Sequence, residues 1–384
     1  MKDDVPPSIE AFGKVLAEKP NLQIFDCSDN AFSPAGAKAL SYFLANCISL
    51  QELRLNNNGL GPEGGKVIAE ALLQNRAKSH AAGKASCLRR VTMGRNRLEN
   101  GSASHLAEAF KAHGSLEEVS LYQNGIRMEG ITALSLGLSA CHGLKAIDLQ
   151  DNTFSKEGSA AFAKAIPSWP ALERLNVGDC LVGDAGCRSI LESLVSCPSV
   201  STLRILNLQF AEMERKTAFF LAENLKEFTA LESLLLNGNC FAPNGAEVKA
   251  INAALSAMGK AGILDELEEM DYDSEEEEEK TEEESEQSEP EKESEKEQEE
   301  EAKVEAEPQV EELKEIETVI EQVENIQIAE PEAVAEHVEA EEVSQVVEDE
   351  PEAEAVTEAV EQVEEVTQAV EELNVDSEEK PEEN

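Results

Sequence analysis

The apolar positions in the first two thirds of the chain recur in one arrangement, L-x-x-L-x-L-x-x-N-x-L. Leu50, Leu53, Leu55, Asn58 and Leu60 meet it in full. It returns as LQIFDCSDNAF at 22, LRRVTMGRNRL at 88, LEEVSLYQNGI at 116 and LKAIDLQDNTF at 144, then as LERLNVGDCLV at 172, LRILNLQFAEM at 203 and LESLLLNGNCF at 231. The asparagine slot falls at 30, 58, 96, 124, 152, 180, 211 and 239, with spacings of 28, 38, 28, 28, 28, 31 and 28. Eight matches at a near-fixed period define a leucine-rich repeat array. A unit this long holds a full helix after its strand, as in GGKVIAEALLQN (64–75), where Val67, Ile68, Ala71 and Leu72 share a face. The pattern predicts an α/β solenoid, a ribonuclease-inhibitor-like horseshoe of about eight repeats of ~28 residues. Its parallel strands would lie on the concave side, its helices on the convex side, and its leucines between them.

The asparagine slot lies where the chain leaves the strand. A buried amide there can satisfy backbone groups that no sheet partner reaches. Asn30, Asn58, Asn96, Asn124, Asn152 and Asn239 are accordingly assigned to structure; Cys180 suits the slot, whereas Ala211 cannot make these bonds and predicts the loosest repeat. The two positions before each slot should form a polar, varied rim: Asn56–Asn57, Gly94–Arg95, Tyr122–Gln123 and Gln150–Asp151 among others. Such a row is either a merely solvated rim or a binding surface. If it binds, the partner-facing candidates are Asn56, Arg95, Arg97, Gln123 and Asp151, with Lys2 near the N-terminus.

Charge divides the chain. Residues 1–264 hold 26 Lys and Arg against 27 Asp and Glu, leaving 32 − 26 = 6 against 80 − 27 = 53 for residues 265–384. Every cysteine, phenylalanine and tryptophan lies in the first part. This predicts a leucine-rich repeat domain over 1–264 and a mostly disordered acidic tail over 265–384. The eight cysteines show no C-x-x-C pair and no metal spacing, and no signal peptide or apolar run of membrane-spanning length occurs, so a reduced, intracellular, soluble protein is expected.

Few chemistries fit. GLGPEGGKV (59–67) glances at a phosphate-binding loop, but Leu60 stands where its first glycine belongs and Val67 replaces the magnesium-binding hydroxyl. The five histidines lack a paired acid or cysteine at useful spacing. No metal, cofactor or autonomous enzyme is expected; the array is a scaffold that meets a partner.

The rim strings DNAFSPAG (29–36), LNNNGLGPEGG (55–65), GRNRLENGS (94–102), NGIRMEG (124–130) and LQDNTF (149–154) resemble the Ran GTPase-activating protein family, as does the acidic stretch opening with GILDELEEMDYDSEEEEE (262–279). The resemblance implies a crescent that binds Ran in its GTP form and accelerates hydrolysis in trans, in support of nucleocytoplasmic transport. It implies no arginine finger: a rim asparagine, by motif match Asn57, positions Ran's catalytic glutamine, which orients the attacking water. It also implies cytoplasmic, at most perinuclear, residence, with no nucleic acid or membrane as partner. The family carries about two further repeats and a functional arginine before the segment matching KDDVP (2–6), so this array is expected to open in mid-repeat with SIEAFGKVLAEK (8–19). The rival expectation is a leucine-rich scaffold binding another protein.

In the tail, Ser274 and Ser285 either suit acid-directed phosphorylation or act as spacers. Val310, Leu313, Ile316, Ile320 and Val323, and again Val356 to Leu373, fall at helical spacing and suggest transient helices for an unidentified partner.

Overall fold

A computed structural model describes residues 5–272, all within the first of the chain's two compact units, Met1–Glu291. Lys2, Ser274, Ser285 and the helical patterns after residue 309 lie outside the described residues.

Strands and helices alternate as the repeat predicts. The order is α1 (Val5–Ala17), β1 (Ile24–Asp26), α2 (Ser33–Asn46), β2 (Glu52–Arg54), α3 (Gly61–Ala81), β3 (Arg90–Thr92), α4 (Glu99–His113), β4 (Glu118–Ser120) and α5 (Met128–Leu138). It continues with β5 (Ala146–Asp148), α6 (Ser155–Ala165), β6 (Arg174–Asn176), α7 (Asp184–Val195), β7 (Ile205–Asn207), α8 (Arg215–Asn224), β8 (Ser233–Leu235) and α9 (Ala246–Ala257). The strands form one parallel sheet in sequence order, β1 to β8, with equivalent residues in register. Successive side chains of a strand point to opposite faces. The central residue of each, such as Leu53, Val91, Val119 and Leu175, is therefore buried against the helices while its neighbours face outward.

Helices pack on the helices of adjacent repeats, close enough at one point to demand glycine. A Cβ on Gly137 of α5 would stand 2.4 Å from the Ala107 carbonyl of α4. The long spacing between slots 58 and 96 is absorbed in α3, which runs 21 residues, and in the loop after it, so Glu52 still pairs with Arg90.

The asparagine slot does the work expected of it. Asn58, Asn96, Asn124 and Asn239 are at most 1 % exposed. Each Oδ1 accepts the slot N–H of the preceding repeat: Asn30 to Asn58 at 3.1 Å, Asn58 to Asn96 and Asn96 to Asn124 at 2.9 Å, Asn124 to Asn152 at 3.3 Å. Each Nδ2 donates back to a carbonyl of that repeat, as Asn96 does to Leu55 O at 2.8 Å. Cys180 keeps the donor half of the arrangement, its thiol lying 3.1 Å from Leu149 O. Asn30 is the exception to burial. It sits in the turn after β1, in the first repeat of the sheet, and is exposed, with Nδ2 bonded to Cys27 O and Ser28 O.

A second ladder runs behind the helices, seventeen residues after the slots at 58, 96, 124, 152 and 180. Asn75 donates to Leu44 O at 2.7 Å, and His113 Nε2 to Leu72 O at 2.9 Å. Trp169 Nε1 donates to Leu138 O at 2.9 Å, and the Cys141 and Cys197 thiols reach Phe110 O and Ile166 O at 3.5 and 3.8 Å. Leu44, Phe110, Leu138 and Ile166 stand at or near the end of the preceding helix, and the last three carbonyls accept a backbone N–H as well; Leu72 lies within α3. The scattered histidine and several cysteines of the sequence thus share one structural position.

The array does not stop at residue 264. The Asp265 carboxylate accepts the N–H groups of Leu236 and Asn237 at 2.8 and 3.0 Å, where a further strand would stand. Asn237 Oδ1 accepts from the Glu268 and Glu269 N–H groups, and Asp271 N–H bonds Asn239 O, all at 2.9 Å. Leu267 and Met270 pack against the core.

Candidate functional site

Just before each slot the backbone turns left-handed. Asp29, Asn57, Arg95, Gln123, Asp151, Asp179, Phe210 and Gly238 all have φ between 48° and 77°. The conformation belongs to the repeat, since parallel bonds continue past the strands and hold it: Asp29 N–H to Asn56 O, Asn57 N–H to Gly94 O and Arg95 N–H to Tyr122 O, each at 2.9 Å. Asparagine, aspartate and glycine adopt it cheaply, whereas arginine, glutamine and phenylalanine do so at some cost.

This places the expected partner-facing residues in one row. Asn57, Arg95 and Gln123 stand side by side and exposed, Asp151 continues the row half-buried, and Arg97 lies exposed two residues beyond Arg95. Asn57 Nδ2 donates to Asp29 Oδ1 at 2.8 Å. A carboxylate only accepts, so this bond settles which end of the amide faces inward. Among the described residues no protein donor is bonded to Asn57 Oδ1. Asn56 is different. It is half-buried, its Oδ1 accepts the Gly94 N–H at 2.7 Å, and its Nδ2 reaches Thr92 Oγ1 at 3.4 Å. Its amide is engaged in holding the start of the next rim turn. Gly94 has no room for a side chain, because a Cβ there would meet the Tyr122 ring at 2.2 Å.

Below the rim the open face of the sheet carries a charge ladder. Glu52, its side chain 6 % exposed, binds Arg54 and takes Arg90 at 3.2 Å, while Glu118 takes Arg174 at 3.0 Å. Asn56, Thr92, Glu118, Ser120, Asp148, Arg174 and Asn176 line a groove of about 410 Å³ there. Burial raises the Asp148 carboxyl above its ordinary pKa, against the bonds it accepts from Ser120 and the Gln150 N–H. Among the described residues no cluster of histidine, cysteine and carboxylate side chains could hold a metal, and no helix is long and apolar enough to cross a membrane. Burial pushes the Cys180 thiol up to about 12, so it is an inert filler and not a nucleophile.

The rim can therefore offer amides and guanidinium groups to a protein surface. Sequence reasoning missed the Asp29–Asn57 bond, whose partners stand 28 residues apart and meet only when repeats stack.

The repeat family described as Leucine Rich repeat matches residues 46–69. Ran GTPase-activating protein 1 of Xenopus laevis is 50 % identical over 270 residues, 70 % of this chain and 46 % of that protein. Ran GTPase-activating protein 1 of Saccharomyces cerevisiae is 41 % identical over 133 residues, 34 % of this chain and 32 % of the yeast protein. The Drosophila melanogaster Ran GTPase-activating protein is 40 % identical over 135 residues, 34 % of this chain and 23 % of the fly protein. The chain thus spans less than half the length of the curated relatives it matches. With half of its residues identical over a 270-residue match to the Xenopus laevis protein, the chain belongs to the Ran GTPase-activating protein family.

Proposed function

We propose that the chain accelerates GTP hydrolysis on GTP-bound Ran, acting in trans through the rim centred on Asn57. The observation that carries this reading is the exposed Asn57 amide, held from behind by Asp29 with its Oδ1 bonded to no protein donor among the described residues. An amide can give both an acceptor and a donor to another amide, here the catalytic glutamine of Ran. Fixing that glutamine orients the attacking water, and orientation needs no titrating group. Parts supplied in trans to related GTPases are worth about 10³–10⁵ in rate. Arg95 and Arg97, exposed beside Asn57, supply positive charge that would favour an acidic partner surface and set the register of docking.

The test is single-turnover hydrolysis of Ran·GTP at saturating chain. Asn57→Ala should lower the rate at least tenfold and leave the affinity for Ran·GTP within about threefold, since the interaction is made mainly in the transition state. Hydrolysis as fast as the parent would remove Asn57 from the reaction. The scaffold reading draws on the mixed-charge groove below the rim, and it would gain if the full chain bound another protein there and left Ran·GTP hydrolysis unchanged.

A further inference from the structure

Resting on that reading, we infer that Asp29 is a positioning residue that holds the Asn57 amide in its partner-facing orientation. Asp29 is in the repeat before Asn57, at the same place on the rim, and both are exposed. The two are tied twice. The Asp29 N–H donates to Asn56 O at 2.9 Å, and the Asp29 carboxylate accepts from Asn57 Nδ2 at 2.8 Å. On its other side the Asn57 N–H is held by Gly94 O at 2.9 Å. Among the described residues this is the one bond that joins neighbouring side chains within the rim row. Arg95, Gln123 and Asp151 have no such link to their neighbours in the row.

The consequence is orientational. A free asparagine side chain on a surface samples three χ1 wells and turns its amide either way. Only a fraction of those states would present Oδ1 outward at the angle a glutamine amide needs. The charge-assisted bond to Asp29 is of the stronger kind, and it selects one of them. Because a carboxylate cannot donate, Nδ2 must face Asp29 and Oδ1 must face away. One Nδ2 hydrogen also stays free, so the outward side offers an acceptor and a donor together. The left-handed backbone at both residues, φ 61° for Asp29 and 51° for Asn57, suits aspartate and asparagine, so the pair stands with little backbone strain.

Asp29→Ala should lower the maximal single-turnover rate by about three- to tenfold, the ratio expected when one orientation is diluted among several. The concentration of chain giving half-maximal rate should stay within about twofold, and the thermal melt should not move. Asp29→Asn keeps an oxygen acceptor and tolerates the same backbone, so it should retain most of the rate. The deciding arm is the double variant. In an Asn57→Ala background, Asp29→Ala should change nothing further, because the residue it positions is gone. A second readout needs no turnover: relaxation of the Asn57 side-chain amide in the isotope-labelled full chain should report greater mobility in Asp29→Ala than in the parent. If Asn57→Ala is slow but Asp29→Ala is fast, with Asn57 equally rigid, the positioning role is wrong and the function stands. If Asp29→Ala slows the Asn57→Ala chain by its full factor again, Asp29 acts on its own and the inference is overturned. If Asn57→Ala itself is as fast as the parent, the functional reading falls and this inference falls with it.

Discussion

Asn96→Ala is the sharpest probe of what joins one repeat to the next. Asn96 is fully buried, and its Oδ1 accepts from the Asn58 N–H at 2.9 Å and the Leu60 N–H at 3.4 Å. Its Nδ2 donates to Leu55 O at 2.8 Å and Met93 O at 2.9 Å. Alanine would strand the Asn58 N–H and the Leu55 carbonyl, both in the preceding repeat and both shut off from water. A buried polar group left without a partner costs about 1–3 kcal/mol, and partial relaxation offsets some of two such losses, so about 2–4 kcal/mol is expected. For a body of this size that is a fall of roughly 5–15 °C in melting temperature. Asn96→Cys should recover part of it, because the thiol of Cys180 already makes the equivalent donor bond to Leu149 O at 3.1 Å. Asn57→Ala, one residue from the neighbouring slot but exposed, should stay within about 0.5 kcal/mol of the parent. The assay is a melt of all three variants beside the full-length parent. An Asn96→Ala melt within about 2 °C of the parent would refute the claim that slot amides tie the repeats together.

Two further outcomes follow from groups that the rim does not use. His113 is buried and held neutral, its pKa lowered by burial from 6.5 to about 4, with Ser86 Oγ at 2.6 Å from Nδ1 and Leu72 O at 2.9 Å from Nε2. The unfolded chain takes up the proton below about 6.5 and the folded chain does not, so stability is full above that pH. It is lost as pH falls toward 4, by about 3 kcal/mol in total. Urea midpoints at pH 7.5 and 4.5 should show that loss reduced in His113→Gln, whose amide can make both bonds; an identical loss in parent and variant would exclude His113 as its source. Truncation after residue 264 removes Asp265 and the segment through Asp271 that closes β8, and should cost on the order of 2–4 kcal/mol through uncapped N–H groups and lost packing. Truncation after 272 should melt with the full chain, and equal melts for the two truncations would show that the segment contributes nothing.

The parts of this molecule that were legible in its sequence are those in which one residue type repeats. Leucine spacing located all eight strands, because each buries its central residue against the helices. The slot asparagines could be assigned to structure because one side chain solves the same backbone problem in most repeats. The ladder behind the helices escaped notice for the opposite reason. Asn75, His113, Cys141, Trp169 and Cys197 share only a polar hydrogen, and no residue pattern expresses that. The closing segment after 264 was masked by composition, since acidic residues capping a sheet edge look like the start of an acidic run. At the site, the exposure of Asn57 followed from its position, whereas the engagement of Asn56 with Gly94 and the support from Asp29 depend on contacts between repeats.

Both ladders run in one direction. The side chains of the slot residue and of the donor behind the helix each bond to groups in the repeat before, never in the repeat after. A unit added at the C-terminal side therefore bonds to its predecessor through these side chains. Synthesis on the ribosome delivers units in that same order, N-terminal first. Each emerging repeat would thus find the N–H and carbonyl partners of its slot asparagine in the unit already made. Among the described residues the C-terminal edge at β8 is taken up by Asp265, whose carboxylate accepts the N–H groups of Leu236 and Asn237 beside the single parallel bridge of Leu264 to Leu234.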